Sequence, residues 1–298
     1  MKKKIIIVTG GAGFIGSNLI EYLIRQSDFD IISLDNYSTG TKKNHIKNSR
    51  IKYLVGDTSK INDIIKLDLK KISCVFHFGE FSRIYQSFAK FDQCYKSNTT
   101  GTQAVINFCL KNNIKLIYSA TSASLGNRGN DKNLSPYAFT KSKNLELLEN
   151  FKKWFNFKFE IIYFYNVYGP RQIKQGDMAT VIGIFEQKFL DKKPLTVVKP
   201  GTQTRRFTHI SDTVKVCYEA WKKNKCAHYS ISNKKSYSIL NVAKMFKSKI
   251  IILKARKGER FSSALTKISQ GNHIIQRYGK INLKDYIRSF ISDKNYEN

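Results

Sequence analysis

The chain has 298 residues, 41% of them hydrophobic, and a formal net charge of +30. That length and apolar content allow one large or two intimately joined domains around a real core, and no run of 18 apolar residues is present to read as a membrane-spanning helix. The basic excess, 41 Lys and 11 Arg spread along the chain, reads as a solvated surface that attracts anionic substrates, because no nucleic-acid motif accompanies it.

The first eleven residues, MKKKIIIVTGG, have the basic-then-apolar order of a signal peptide. The apolar run, Ile5 to Val8, passes after four residues into a glycine turn, so it is predicted as the first strand. Thr9 to Gly16, TGGAGFIG, then opens an amphipathic segment, Ser17 to Arg25. Strand, glycine turn and helix in that order place backbone N–H groups and the positive end of a helix against a pyrophosphate. Gly10, Gly13 and Gly16 would serve the tight turn, the close approach of the phosphates and the packing of helix on strand. A second apolar run, Ile31 to Leu34, ends at Asp35. A carboxylate about 20 residues past the glycines accepts ribose hydroxyls and repels a 2′-phosphate, so NAD is expected over NADP.

Strands are predicted next at Ile51 to Val55, before Gly56-Asp57, and at Cys74 to Phe78, which ends in HFGEFS. A long helical segment covers roughly Asp92 to Lys111, and Leu116 to Ser119 is the fifth strand. Ser135-Pro136 is a helix start, with an N-cap and then proline at the first helical position. Apolar residues Leu147, Leu148, Phe151, Trp154 and Phe155 follow at helical spacing. Ile161 to Tyr165 is the sixth strand. From about Val167 the alternation loosens, with a break at Gly169-Pro170-Arg171, a short strand at Leu195 to Val198 and a helix at Ser211 to Lys223. His228 to Ile231 reads as a strand that rejoins the sheet. Residues 236–298 are mostly basic and helical, with one β-rich run, Ile250 to Leu253. The pattern is that of an α/β, Rossmann-type doubly wound parallel sheet with a smaller α/β lobe. The expected division is 1–166 plus 207–235 for the dinucleotide domain and 167–206 plus 236–298 for the lobe. The five cysteines, at 74, 94, 109, 217 and 226, are an odd number without metal-ligand spacing. They read as reduced, mostly buried thiols in a cytoplasmic protein, and no metal is expected.

The chemistry concentrates in Tyr137-Ala138-Phe139-Thr140-Lys141. Spacing of i and i+4 puts Tyr137 and Lys141 on one helix face. A free phenol titrates near ~10, and a neighbouring ammonium favours the phenolate. Lys141 is therefore expected to lower the pKa of Tyr137 while binding the nicotinamide ribose. Thr121 and Ser122, at the end of the fifth strand, are placed to hold a substrate oxygen.

These motifs together resemble the extended short-chain dehydrogenases/reductases, specifically the nucleotide-sugar epimerases and dehydratases. The matching stretches are TGGAGFIGSNL, DNYSTG, Gly56-Asp57, HFGEFS, SNTTGT, YSATS, SPYAFTK, YNVYGPR, RRFTHISD and Arg256 to Glu259, in family order. The resemblance implies NAD held by Gly10, Gly13, Phe14, Ile15, Gly16, Asp35, Asn36, Ser38, Asp57, Thr58, Phe78, Gly79 and Lys141, with Asn98 supporting the cofactor side. It implies a catalytic trio of Thr121, Tyr137 and Lys141. It also implies a nucleoside-diphosphate-sugar substrate met by Asn166, Arg205 and Arg256, where guanidinium groups suit phosphate. A homodimer is implied through the segments Asp92 to Lys111 and Ser135 to Phe155, with Phe108, Leu148, Phe151 and Phe155 as candidates for its apolar seam.

The shared first step is oxidation of a sugar hydroxyl with phenolate Tyr137 as base. A 4,6-dehydratase would carry Asp-Glu after Thr121, and a sugar-acid decarboxylase Thr-Ser-Glu. Here Ser122-Ala123 follow Thr121, so the expectation is 4-epimerisation of a UDP-hexose. The alternatives are a dehydratase using Glu80 as its acid, a nucleotide-heptose epimerase using Lys174, and, from another class, a basic nucleic-acid-binding protein on a dehydrogenase scaffold. Only 16 positions separate Thr121 from Tyr137, and Arg206 stands where an acid commonly follows the phosphate-binding arginine.

Overall fold

The computed structural model describes residues 4–125, 132–256 and 274–295. In chain order its first half holds β1 (Ile5–Thr9), α1 (Phe14–Gln26), β2 (Asp30–Asp35), β3 (Ile51–Val55), α2 (Ile61–Ile64), β4 (Ile72–His77), α3 (Gln86–Ala89), α4 (Phe91–Lys96), α5 (Thr102–Lys111), β5 (Lys115–Thr121), α6 (Pro136–Phe155) and β6 (Phe159–Phe164). The second half holds β7 (Val167–Tyr168), α7 (Val181–Leu190), β8 (Leu195–Val198), β9 (Thr204–Arg206), β10 (Thr208–His209), α8 (Ile210–Lys223), β11 (His228–Ser232), β12 (Ser236–Ser238), α9 (Ile239–Met245), β13 (Ile250–Leu253), β14 (Ile274–Tyr278) and α10 (Leu283–Asn295).

Eight strands form one sheet in the order β14-β11-β6-β5-β4-β1-β2-β3. Every neighbouring pair is parallel. A parallel sheet carries helices on both faces, so its strands need apolar residues on both sides and read as continuous runs. Ile7, Val75, Leu116 and Ile161 face one core with Val105, Ile106 and Phe108 of α5 and Leu148 of α6. Ile6, Val8, Phe76, Ile117 and Ile162 face the other with Leu19, Ile20 and Leu23 of α1 and Val214 and Cys217 of α8. Strand order reverses between β1 and β4. Ligands in such sheets bind outside the carboxyl ends of the strands at that reversal.

A third core gathers Tyr168, Phe185, Leu195, Val197, Phe207, Val242, Phe246 and Leu283 from segments far apart in the chain. Small strand pairs tie these segments together: β7 with β10, β9 with β12, and β8 with β13.

Three expectations change. Residues 236–298 were expected to lie wholly in the smaller lobe, but β14 pairs with β11 from His228↔Ile274 to Ser232↔Tyr278 and is an edge strand of the main sheet. Its sequence, IIQRY, mixes polar and apolar residues because an edge strand has only one paired side, and so it lacks the run that marked the others. The helix expected over Asp92 to Lys111 is interrupted by a π turn, Ser97–Gly101, between α4 and α5. Phe108 and Leu148, expected at a dimer seam, are 1% and 0% exposed and face their own sheet. Phe151 is partly buried against that same core, whereas Phe155 is exposed. Among the described residues no helix is long and apolar enough to cross a membrane.

Candidate active site

A cleft of about 620 Å³ opens at the reversal between β1 and β4 and is lined from both the main sheet and the third core. Its first half is made chiefly of backbone. Gly10 has φ +69°, and a Cβ there would lie 2.8 Å from the Phe78 carbonyl; a Cβ on Gly16 would lie 2.2 Å from the Gly10 oxygen. Only glycine lets the turn after β1 fit between β4 and α1. Gly13 is the N-cap of α1, with no capping side chain and no acidic residue in the first turn. The unpaired N–H groups and positive dipole end of α1 are thus left for a ligand anion. This cradle fits the pyrophosphate of a dinucleotide.

Asp35 closes the same half. The Ala12 N–H donates to its Oδ2 at 2.9 Å and the Tyr37 N–H to its Oδ1 at 2.8 Å. Burial pushes its pKa up, and the backbone N–H groups of Tyr37, Ala12 and Gly13 hold it back. Asp57 accepts from the Ser59 N–H at 2.9 Å and hydroxyl at 2.7 Å, and from Asn36 Nδ2 at 2.9 Å. Burial pushes the Asp57 carboxyl up, but these hydrogen bonds outweigh it and leave it below its ordinary value. Phe14, Ile15, Ser38, Thr58, Phe78 and Gly79 line the cleft as well.

The second half is made of side chains. Ser135 caps α6 by accepting the Ala138 N–H at 3.1 Å, with Pro136 in the first turn. That start fixes the helix phase and turns Tyr137 and Lys141 inward, 8% and 3% exposed. Thr121 ends β5 and Ser122 opens the 3-10 turn after it. The Thr121 hydroxyl accepts the Ala123 N–H at 3.2 Å and also hydrogen-bonds Tyr137. Asn166, Arg205 and Arg256 line the far wall. Asn166 Nδ2 donates to the Arg206 carbonyl at 3.0 Å, Arg205 Nη1 to the Thr204 carbonyl at 2.8 Å, and the Arg256 guanidinium lies 5.2 Å from the Tyr85 ring centroid. The rest of the segment that resembled the family at Arg256 to Glu259 lies outside the described residues.

Four site expectations are corrected. Asn98 does not reach the cleft: it is fully buried in the π turn, accepting the Phe81 N–H at 2.7 Å and donating to the Phe81 carbonyl and Thr140 at 3.1 Å. Glu80 lines the cleft, but its side chain is 2% exposed and its carboxylate is ion-paired with Lys141 rather than free for a substrate. Lys174 is not a free acid/base, since its ammonium lies 3.0 Å from the buried Glu186 carboxylate. Finally, the Tyr137 phenol is raised rather than lowered. Burial pushes the Tyr137 phenol up to about 12; Thr121 pulls it down, Glu80 pushes it up and Arg83 pulls it down.

Residues 6–233 match the sequence profile of the NAD dependent epimerase/dehydratase family. The chain belongs to that family. It is 30% identical over 227 residues, 70% of each chain, to an uncharacterized UDP-glucose epimerase of Bacillus subtilis. Among solved structures, the UDP-glucose 4-epimerase of Thermotoga maritima with UDP-glucose shares the fold at a TM-score of 0.84, with 23% identity over 98% of this chain and 99% of that one. The UDP-glucuronic acid 4-epimerase of Bacillus cereus, in complex with UDP-glucuronic acid and NAD, matches at a TM-score of 0.81, with 26% identity over 99% of this chain and 100% of that one.

Arg83 is a cleft residue of this family member that the sequence reading missed. Its Nε donates to the Met178 carbonyl at 2.9 Å, and its Nη1 to the Ser82 carbonyl at 2.9 Å. It thereby straps the segment after β4 to the segment before α7. No local pattern marks an arginine whose partner is a carbonyl 95 residues away.

Proposed function

We propose that the enzyme is a UDP-hexose 4-epimerase that works through a transient 4-keto sugar. The observation that carries this is the meeting of Tyr137 and Thr121 in the cleft, where the acid named beside them among the described residues, Glu80, is ion-paired with Lys141 rather than free to drive elimination. NAD, when bound, supplies the oxidant that takes the hydride from the sugar C4 and returns it.

The chain's own residues supply the rest. Thr121 orients the sugar hydroxyl and Tyr137 takes its proton; on the return step Tyr137 gives a proton back, which is how a single acid–base group serves both directions. Arg205 and Arg256 hold the diphosphate by charge-assisted hydrogen bonds, and Asn166 and Ser122 bound the sugar end. The cradle at Gly10, Gly13 and Gly16, with Asp35 and Asp57, holds the dinucleotide. The dehydratase reading lacks its acid, since Glu80 is committed to Lys141. The heptose-epimerase reading lacks its base, since Lys174 is committed to Glu186. Incubation of the purified protein with a panel of UDP-hexoses, followed by NMR, tests the proposal. A C4 epimer of unchanged mass is expected. Loss of water, or no conversion across the panel, contradicts it.

We also infer a homodimer joined through α4 and α6. Phe91 and Tyr95 stack at 5.6 Å on α4, and Phe139 and Trp154 stand on α6, all of them 39–62% exposed. Exposed aromatics on neighbouring helices are a feature of association surfaces. Light scattering at micromolar concentration is expected to give twice the chain mass, and Trp154→Glu to halve it. Free thiols at all five cysteines support a reducing, cytoplasmic setting.

A further inference from the structure

The charge beside Lys141 has no part in the reaction just described. Glu80 follows β4 by three residues, and its carboxylate is buried with four hydrogen-bonding partners. Lys141 Nζ pairs with Oε2. The hydroxyls of Thr102 and Tyr118 each donate to Oε1 at 3.0 Å, and Asn144 Nδ2 lies 3.3 Å from the same oxygen. Lys141 also donates to the Ser119 carbonyl of β5 and lies 4.7 Å from the Tyr118 ring centroid. The ammonium is held on the sheet side of α6 from three directions.

The network runs on into the cofactor half of the cleft. Because Thr102 donates to Glu80, its oxygen accepts from His77 Nε2, 3.0 Å away. His77 Nδ1 then accepts from the Thr9 hydroxyl at 2.7 Å. The Thr9 oxygen in turn accepts the N–H groups of Phe78 at 3.1 Å and Gly79 at 3.0 Å, which form the cleft wall. Every donor in this chain points toward the carboxylate. A buried anion satisfied so fully rigidifies what it touches.

The groups facing Tyr137 are Thr121 from β5, Glu80 and Arg83 from the segment after β4, and Cys94 from α4. Cys94 is buried and stays a thiol, so the charges that act on the phenol are Glu80 and Arg83, while Lys141, one helical turn on from Tyr137, is paired with Glu80. We propose that Glu80 is a positioning residue of this enzyme: its carboxylate holds Lys141 against β5, cancels that ammonium's charge, and so sets the pH at which Tyr137 acts as a base. This rests on the reading of Tyr137 as the acid–base group.

The test compares the NAD-loaded full chain with Glu80→Gln and Glu80→Asp. The Tyr137 phenol is titrated by ultraviolet difference absorbance against Tyr137→Phe in each background. The pH profile of kcat/KM is then taken with any UDP-hexose that turns over. Removing one negative charge in a partly desolvated site is expected to move the phenolate midpoint, and with it the acid limb, down by roughly one to two pH units. Glu80→Asp, which keeps the charge, is expected to stay near the wild type. Equal midpoints in all three proteins, or an upward shift in Glu80→Gln, overturn the proposal. The titration needs no turnover, so a failed search for substrate sinks the epimerase reading without deciding this one. If Glu80→Gln does not fold, the thermal stabilities of Lys141→Met and Lys141→Met/Glu80→Gln decide instead. An unpaired buried carboxylate makes the single variant the weaker of the two; a double variant that is no more stable overturns the pairing.

Discussion

The two halves of the cleft differ in what they are made of. Around the turn after β1 the working groups are backbone N–H groups, and the carboxylate that closes that half, Asp35, is itself held by the N–H groups of Ala12 and Tyr37. Around the start of α6 the working groups are side chains, and the carboxylate there, Glu80, is held by Lys141, Thr102, Tyr118 and Asn144. Backbone partners leave Asp35 its charge and its remaining lone pairs for a ligand. Side-chain partners consume the charge of Glu80 and turn it inward. A binding half can thus be built from fixed dipoles that survive most substitutions, whereas a reacting half depends on single side chains. Mutations in the two halves should therefore separate affinity from turnover.

The largest expected effect is at the reacting half. Tyr137→Phe removes only a hydroxyl, so fold and NAD affinity should persist while kcat falls by ~10²–10⁴, the range for loss of a positioned acid–base group. Steady-state kinetics with calorimetry for NAD checks both parts. Unchanged kcat, or a loss confined to NAD affinity, would blur the distinction between the halves.

The next effect belongs to the junction. His77 is fully buried between Thr9 and Thr102, and burial lowers its pKa from 6.5 to about 4. A folded-state value below the unfolded one means that the unfolded chain takes up the proton first as pH falls. The stabilising contribution is complete above the unfolded value and is lost between about pH 6.5 and pH 4, reaching about 3 kcal/mol. Urea unfolding across that window should show the decline, and His77→Gln should flatten it. An equal slope in the variant contradicts the assignment.

The smallest effect is at the binding half. Asp35→Ala should weaken NAD by ~10- to 100-fold, the worth of a charge-assisted hydrogen bond, and narrow the preference over NADP, with kcat at saturating cofactor little changed. Calorimetry with both dinucleotides measures it; an undiminished preference for NAD would show that the discrimination lies elsewhere.

The same division explains what could be read from residues alone. The backbone half was legible because its causes are local. Glycines at 10, 13 and 16 and an aspartate at a strand end are set by neighbours in the chain, and the strands at Ile51–Val55, Leu195–Val198 and Ile250–Leu253 fall where they were expected. The cap at Ser135 was legible for the same reason. The side-chain half was legible in its residue types but not in its pairings. Nothing near Glu80 announces Lys141, 61 positions on, and nothing near Lys174 announces that Glu186 will be buried against it. β14 was missed because an edge strand with Gln276 and Arg277 carries neither a run nor an alternation. Phe108 and Leu148 were misassigned because a helix that packs on a sheet and one that packs on a second copy show the same apolar spacing.

In the 4-epimerase proposed for this cleft, hydride leaves and returns to the same sugar carbon. Turnover of a UDP-hexose deuterated at C4, read by NMR, tests it most directly. The epimer is expected to form with deuterium retained at C4 and none exchanged with solvent. Deuterium appearing at C6 with loss of water, or washed out of the product, would contradict it.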